Sequence, residues 1–253
     1  MATILSAGDI GFARVRADAP DSFSFVALRA IEAGTVIHFT DNAVNADGAL
    51  RPNEGTVSWT APAGGVAAGG VIALTSPTDN AWTGTSGGGA GSGGFNLSAA
   101  NDQIVAYQGP LGSPERFLAA VSTNNFLSAG AATAQDSYLP PGLVVGETAL
   151  VLPGSNDDNA VYAGPTAGSA AELRAALNNG ANWATNDEPG AVGAAPAGFT
   201  VSGGGDAPAP APALVVSPAA PATADPETSP MFRAAARAVA EILAGASSGS
   251  AFK

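Results

Sequence analysis

Cysteine is absent from the 253-residue chain, which excludes disulfide staples, thiolate catalysis and cysteine-ligated zinc. Lysine occurs once, at Lys253, and histidine once, at His38, so a serine–histidine–acid triad has a single imidazole to draw on. Charged residues make up 12% of the chain, about half the usual share, which excludes long surface helices rich in Glu and Lys. No stretch of about 18 apolar residues is present to span a bilayer, so no transmembrane segment is expected. Met1 to Leu5 is short, carries no basic residue and runs directly into Gly8-Asp9, so no cleavable N-terminal signal peptide is expected. Export would then need an address elsewhere in the chain.

What the chain does have is turns and negative charge. Glycine at 33 residues and proline at 19 punctuate it, and the apolar fraction of 46% is enough for a core although much of it is alanine. The net charge is -12; seventeen of the 21 acids precede Ser202, with six of the nine cations. Such a surface repels phosphate backbones, which argues against nucleic-acid binding, and favours solubility and divalent cations.

From Ile4 to about Val201, short apolar alternation is broken by Gly, Pro, Asn and Asp, the pattern of strands and turns. Strands are expected at 10–15, 22–31, 36–40, 56–60, 71–75, 103–108, 117–121, 149–152, 160–162 and 199–202. The 22–31 strand has apolar residues in both parities, which predicts a central strand covered on both faces, and Glu32-Ala33-Gly34 is a connection of hairpin length. A helix is expected from Ser169, a capping residue, to Leu177, with Leu173 and Leu177 on one face. The glycine-rich segment from Gly84 to Gly94 reads as a loop that holds no fixed conformation without outside contacts. The fold class is therefore all-β: a two-layer β-sandwich of jelly-roll or immunoglobulin-like type, with one short inserted helix.

After Ser202 the composition changes. Residues 203–229 carry Gly-Gly-Gly and repeated Ala-Pro pairs and read as a disordered, extended linker. Residues 230–253 read as an amphipathic helix and tail, in which Phe232, Ala235, Ala236, Val239, Ile242 and Leu243 line one stripe. At about 15 residues that helix is marginal alone, so it is expected to dock on a partner or to serve an exporter.

The motifs Gly8-Asp9-Ile10-Gly11-Phe12, Phe23-Ser24-Phe25-Val26-Ala27-Leu28 and Gly34-Thr35-Val36-Ile37-His38-Phe39-Thr40-Asp41-Asn42 occur in that order. They continue through Gly55-Thr56-Val57-Ser58-Trp59, Asp102 to Gly109, Asp158 to Tyr162 and Asn182-Trp183. Together they resemble a lamin-tail-like extracellular β-sandwich domain of cyanobacterial and alphaproteobacterial secreted proteins. The resemblance implies a secreted or cell-surface location and a type I export route, often beside calcium-binding glycine/aspartate repeats, which this chain lacks.

Two stretches match G-x-S-x-G, at Ser86 and Ser247, but neither has the strand before it and helix after it that a serine nucleophile needs. His38 falls inside a strand and is expected to be a half-buried, hydrogen-bonded side chain. Carboxylates offer more chemistry. Asp41, Asn42, Asn45 and Asp47 share one loop with Glu54 nearby, and Asn156-Asp157-Asp158-Asn159 forms a second oxygen cluster, with Asp187-Glu188 a third. Ca2+ takes six to eight oxygen ligands, so Asp41, Asn45, Asp47, Asp157 and Asp158 are the candidate ligands of a structural Ca2+, against the alternative that Asx residues cap their own turns. Trp59, Trp82, Tyr107, Tyr138, Tyr162 and Trp183 are either core anchors or a sugar-stacking platform, the core being favoured. Arg14 and Arg16 share a parity and are expected on a solvated face.

These readings lead to a non-enzymatic secreted or cell-surface structural, adhesion or matrix protein. Its expected partners are copies of itself or a surface polysaccharide. The alternatives are a secreted hydrolase using carboxylates or a metal, and a carbohydrate-binding module.

Overall fold

A computed structural model describes residues 1–52, 54–77, 82–84, 88–92, 94–154, 157–188 and 192–203. The expected linker beyond Gly203 and the expected C-terminal helix lie outside the described residues, as do Ser86 and Ser247. The first strands are β1 (Ile10–Arg16), β2 (Ser22–Ala27), β3 (Val36–Thr40), β4 (Thr56–Thr60) and β5 (Val71–Thr75). Two short ones follow, β6 (Thr83–Gly84) and β7 (Gly88–Ser92), then β8 (Gln103–Gln108), β9 (Arg116–Ser122), β10 (Ala149–Val151) and β11 (Asn159–Tyr162). The chain then forms β12 (Ala167–Ser169), α1 (Ala170–Leu177), a 3-10 turn, β13 (Trp183–Asn186) and β14 (Thr200–Ser202).

Two six-stranded sheets result, in the orders β13-β11-β1-β2-β5-β6 and β10-β9-β8-β3-β4-β7, with β12 and β14 as a small parallel pair. The protein is thus an all-β, two-layer sandwich with one short helix. Alternation decides which residues face inward. Phe23 and Phe25 of β2 meet Phe39 of β3, with ring centres 4.9 and 5.0 Å apart, and Phe25 stands edge-on to Trp59 of β4 at 5.2 Å. These rings interdigitate between the layers, the tilted and edge-on arrangement that aromatic quadrupoles favour. A smaller apolar cluster of Val44, Val105, Ala120, Leu143 and Ala149 lies apart from this main core.

β2 is buried along its whole length and lies inside its sheet, as its two-sided apolar pattern predicts. It ends at Ala27, four residues earlier than expected, and the Glu32-Ala33-Gly34 connection is not a hairpin. β2 pairs with β1 and β5, while β3 pairs with β4 and β8 in the other sheet. The crossing follows from Leu28 donating back to the Asp9 carbonyl and Ile31 bridging Val66, which turns the chain away from its own sheet. The glycine-rich segment contributes β7, which takes its fixed conformation from the outside contact it needs, an antiparallel ladder onto β4.

Helix α1 carries a full capping box. The Ser169 hydroxyl accepts from the Glu172 amide while the Glu172 carboxylate accepts from the Ser169 amide at 2.8 Å. Leu173 and Leu177 are buried, and Leu177 sits so close to Gly11 of β1 that a Cβ there would come within 2.9 Å of its methyl group. Among the described residues no helix is long and apolar enough to cross a membrane.

Candidate functional site

Chemistry-bearing side chains concentrate where strands begin and end. Asp21 precedes β2, Asp41 follows β3 and Asp102 precedes β8, and all three are buried. Residues 95–98 cross this end of the sandwich outside any strand, so their amides need acceptors from elsewhere. Three carboxylates supply them: Asn96 N donates to Asp41 Oδ2 at 2.8 Å, Leu97 N to Asp21 Oδ2 at 2.8 Å and Ser98 N to Asp102 Oδ2 at 2.7 Å. Trp82 Nε1 donates to the Phe95 carbonyl at 3.1 Å and fixes the start of the segment.

The second oxygens of Asp41 and Asp102 are engaged as well. Asp41 Oδ1 accepts from Gly55 N at 2.7 Å, and Asp102 Oδ1 accepts from Gln103 N at 2.7 Å and from Gln103 Nε2 at 3.2 Å. Gly55 is required by the crossing itself, since a Cβ there would lie 1.9 Å from the Phe95 amide nitrogen. Asn42 closes the loop, its Nδ2 donating to Thr40 Oγ1 at 2.9 Å and its Oδ1 accepting from Glu54 N at 2.9 Å. The cavity beside Asp102, lined by Leu97, Gln103 and Thr123, holds about 10 Å³, room for no more than one water.

Burial sets the electrostatics here. It pushes the Asp41 carboxyl up to about 7, against the pull of the Asn96 and Gly55 amides, with the Glu54 charge adding to the rise. Burial likewise holds Asp102 well above the usual carboxylate range, the charges of Asp41 and Glu54 adding to it. Glu54 is raised by burial and drawn back by Arg51, 3.8 Å away.

A second acidic group gathers at the start of β11. Asn159, wholly buried, donates from Nδ2 to Asp18 Oδ2 at 2.7 Å, to Asp158 Oδ1 at 2.6 Å and to the Asn186 carbonyl at 3.3 Å. Thr185 Oγ1 donates to Asp157 Oδ2. Burial pushes Asp158 up to about 6, and the charges of Asp18, Asp187 and Asp157 push the same way.

The five residues expected to hold Ca2+ are divided between these regions. Asp41 is engaged by backbone amides on both oxygens. Asp47 Oδ1 caps its own turn by accepting from Ala49 N at 3.0 Å, and Asn45 closes that turn through its backbone. Asp157 and Asp158 lie in the second group. Among the described residues no three acidic or histidine side chains are grouped to share one metal ion.

His38 is buried, its Nδ1 2.8 Å from Ser58 Oγ and its ring tilted over Tyr107 at 5.0 Å, and burial lowers its pKa. Of the six rings considered for a sugar platform, Trp59, Trp82, Tyr107, Tyr162 and Trp183 are buried, and Tyr138 is half-buried with its hydroxyl on the Gly130 carbonyl. Arg14 and Arg16 are half-buried rather than on a solvated face: Arg14 lies beside residues 192–197 and donates to the Gly193 carbonyl, and Arg16 donates to the Ala19 carbonyl. Asp21 and Asp102 carried no expectation as site residues, although an aspartate at each strand boundary was visible as the signal. Comparison with family models, curated proteins and solved structures found no match to the chain.

Proposed function

We propose that this domain is a non-enzymatic structural module of a secreted or cell-surface protein, of the adhesion or matrix kind. The observation that carries the reading is the engagement of Asp21, Asp41 and Asp102 with the amides of residues 96–98. Acids that would otherwise be candidates for proton transfer hold main chain in place, and the cavity beside Asp102 has room for no more than one water. A general acid or base has to reach a substrate atom, and Asp21, Asp41, Asp102 and His38 are all buried. The acidic, cysteine-free composition supports a location outside the cell.

Self-association through a sheet edge fits the same reading. β7 is the last strand of its sheet among the described residues, and its sequence, Gly-Gly-Ala-Gly-Ser, carries none of the charges or prolines that guard an edge. The test is twofold. Purified protein assayed on ester, phosphate and glycan panels, with and without Ca2+, should show no turnover, and fractionated cells should carry the native protein in the medium or at the surface. Saturable turnover of any substrate, lost on changing Asp41 or Asp102 in a variant that still folds, would overturn the reading.

A further inference from the structure

The outer face of the β1–β2–β5 sheet holds a concavity that the structural reading leaves unused. Register makes its floor: Arg14 lies opposite Ser24, Ser24 opposite Ala73, and Val26 opposite Val71. The row therefore runs from one long cation to two small side chains, and the small ones leave a hollow. Residues 192–197 line its other side, and its volume is about 450 Å³, within the range of small-molecule sites. Val71, Ala73 and Pro196 give the lining an aliphatic surface.

Among the described residues, Arg14 is the one charged member of the lining. Its Nε donates to the Gly193 carbonyl at 3.0 Å and its Nη1 to Ser22 Oγ at 2.8 Å, which fixes the guanidinium plane. A guanidinium has five N–H donors, so two bonds leave capacity on the Nη1–Nη2 edge. Among the described residues no carboxylate pairs with Arg14, although the chain carries 21 acids. Burial and the neighbouring Arg16 charge both work against the cation, the condition that a bound anion would relieve.

We propose that this concavity binds a small organic monocarboxylate, the carboxylate paired with Arg14 and the aliphatic body lying against Val71, Ala73 and Pro196. A planar carboxylate matches the guanidinium edge in a two-point pair, and Ser24 adds a hydroxyl donor from the floor. The charge of the ligand follows from the rest of the molecule. In the field of a protein of net charge -12, a doubly charged phosphate is repelled more than a monoanion, and one arginine offers it too little in return. The apolar walls favour a compact hydrocarbon body over a hydrated inorganic ion.

The test uses the full chain, 15N-labelled and titrated with isobutyrate, isobutyramide or inorganic phosphate. Isobutyrate should give saturable shifts at Arg14, Ser24, Ala73 and Gly193 with a Kd of about 1 mM or tighter, and the amide and phosphate should bind at least about tenfold more weakly. Arg14→Gln should weaken isobutyrate at least about tenfold. Because Arg14 also holds the Gly193 carbonyl, Ala73→Leu provides the independent variant: it fills the floor, keeps the arginine and should cause a similar loss. Shifts that never saturate, amide or phosphate binding as well as isobutyrate, or unchanged affinity in a folded variant would each overturn the proposal. Absence of enzymatic activity has no bearing on this titration, so it fails or succeeds apart from the structural reading.

Discussion

Two acidic regions of this protein use the same side chain to opposite ends. Asp21, Asp41 and Asp102 each meet a backbone amide of one crossing segment, while Asp18 and Asp158 share the Asn159 side-chain amide and the charges of Asp18, Asp157 and Asp187 bear on Asp158. In the first region the carboxylates are part of the architecture, because an amide without its acceptor would be buried and unpaired. In the second, burial raises Asp158 and the charges of its neighbouring carboxylates add to the rise. The difference teaches that acidity in a sequence is not one property: a carboxylate's role is set by whether the chain that passes it brings N–H groups or more negative charge.

The comparison breaks most visibly through the first region. Asp102→Ala leaves the Ser98 and Gln103 amides without their acceptor and should destabilise the domain by about 3–5 kcal/mol, read as a lowered midpoint in urea. A loss no larger than that of a surface substitution would remove the clamp from this account.

Protonation comes next in size. Asp41 is raised to about 7 in the folded protein against an ordinary value of 3.8, so the folded state keeps a proton that the unfolded chain releases between those pH values. The contribution is therefore full below about pH 4 and is lost as pH rises through 7, and Asp102 and Asp158 act in the same direction. Thermal unfolding should show a Tm higher at pH 5 than at pH 8, on the order of 5–10 °C for a chain of this size. A Tm that rises with pH across this window would contradict the buried state assigned to these acids.

Asp41→Asn sharpens the contrast. Its amide nitrogen must face one of two N–H donors, so a cost of about 1–2 kcal/mol is expected at pH 5, together with a shallower dependence of Tm on pH. The smallest effect belongs to the second region. Asp158→Asn keeps an acceptor for Asn159 and removes one of four clustered charges, so stability at pH 8 should rise by up to about 1 kcal/mol. Equal losses from Asp41→Asn and Asp158→Asn at that pH would erase the distinction between the regions.

Much of the fold was legible before any coordinates. The spans 36–40, 56–60, 71–75 and 103–108 coincide with β3, β4, β5 and β8, since short apolar and β-branched runs bounded by turn residues mark strands, and β5 writes its two faces directly into alternating residues. Ser169 announced the helix start in the same local way. β7 left no such trace, because Gly, Ala and Ser have too little side chain to mark a face. The Glu32-Ala33-Gly34 connection has hairpin length yet joins two sheets, a choice that length does not encode. Of the candidate ligands, Asp41 was noticed for its oxygen atoms, but its partner Asn96 lies 55 residues away and Asp21's partner Leu97 lies 76 away.

By itself, the sequence determined what depends on near neighbours: strand period, the helix cap, the turns, the excess of negative charge and the absence of thiol chemistry. Only the tertiary structure decided which aspartates become anchors for a passing backbone, which carboxyl is raised by burial and neighbouring charge, and that Arg14 is half-buried beside residues 192–197. The physical reason is that burial and hydrogen-bond partnership are created by segments distant in the chain, and those two quantities fix what a charged side chain can do.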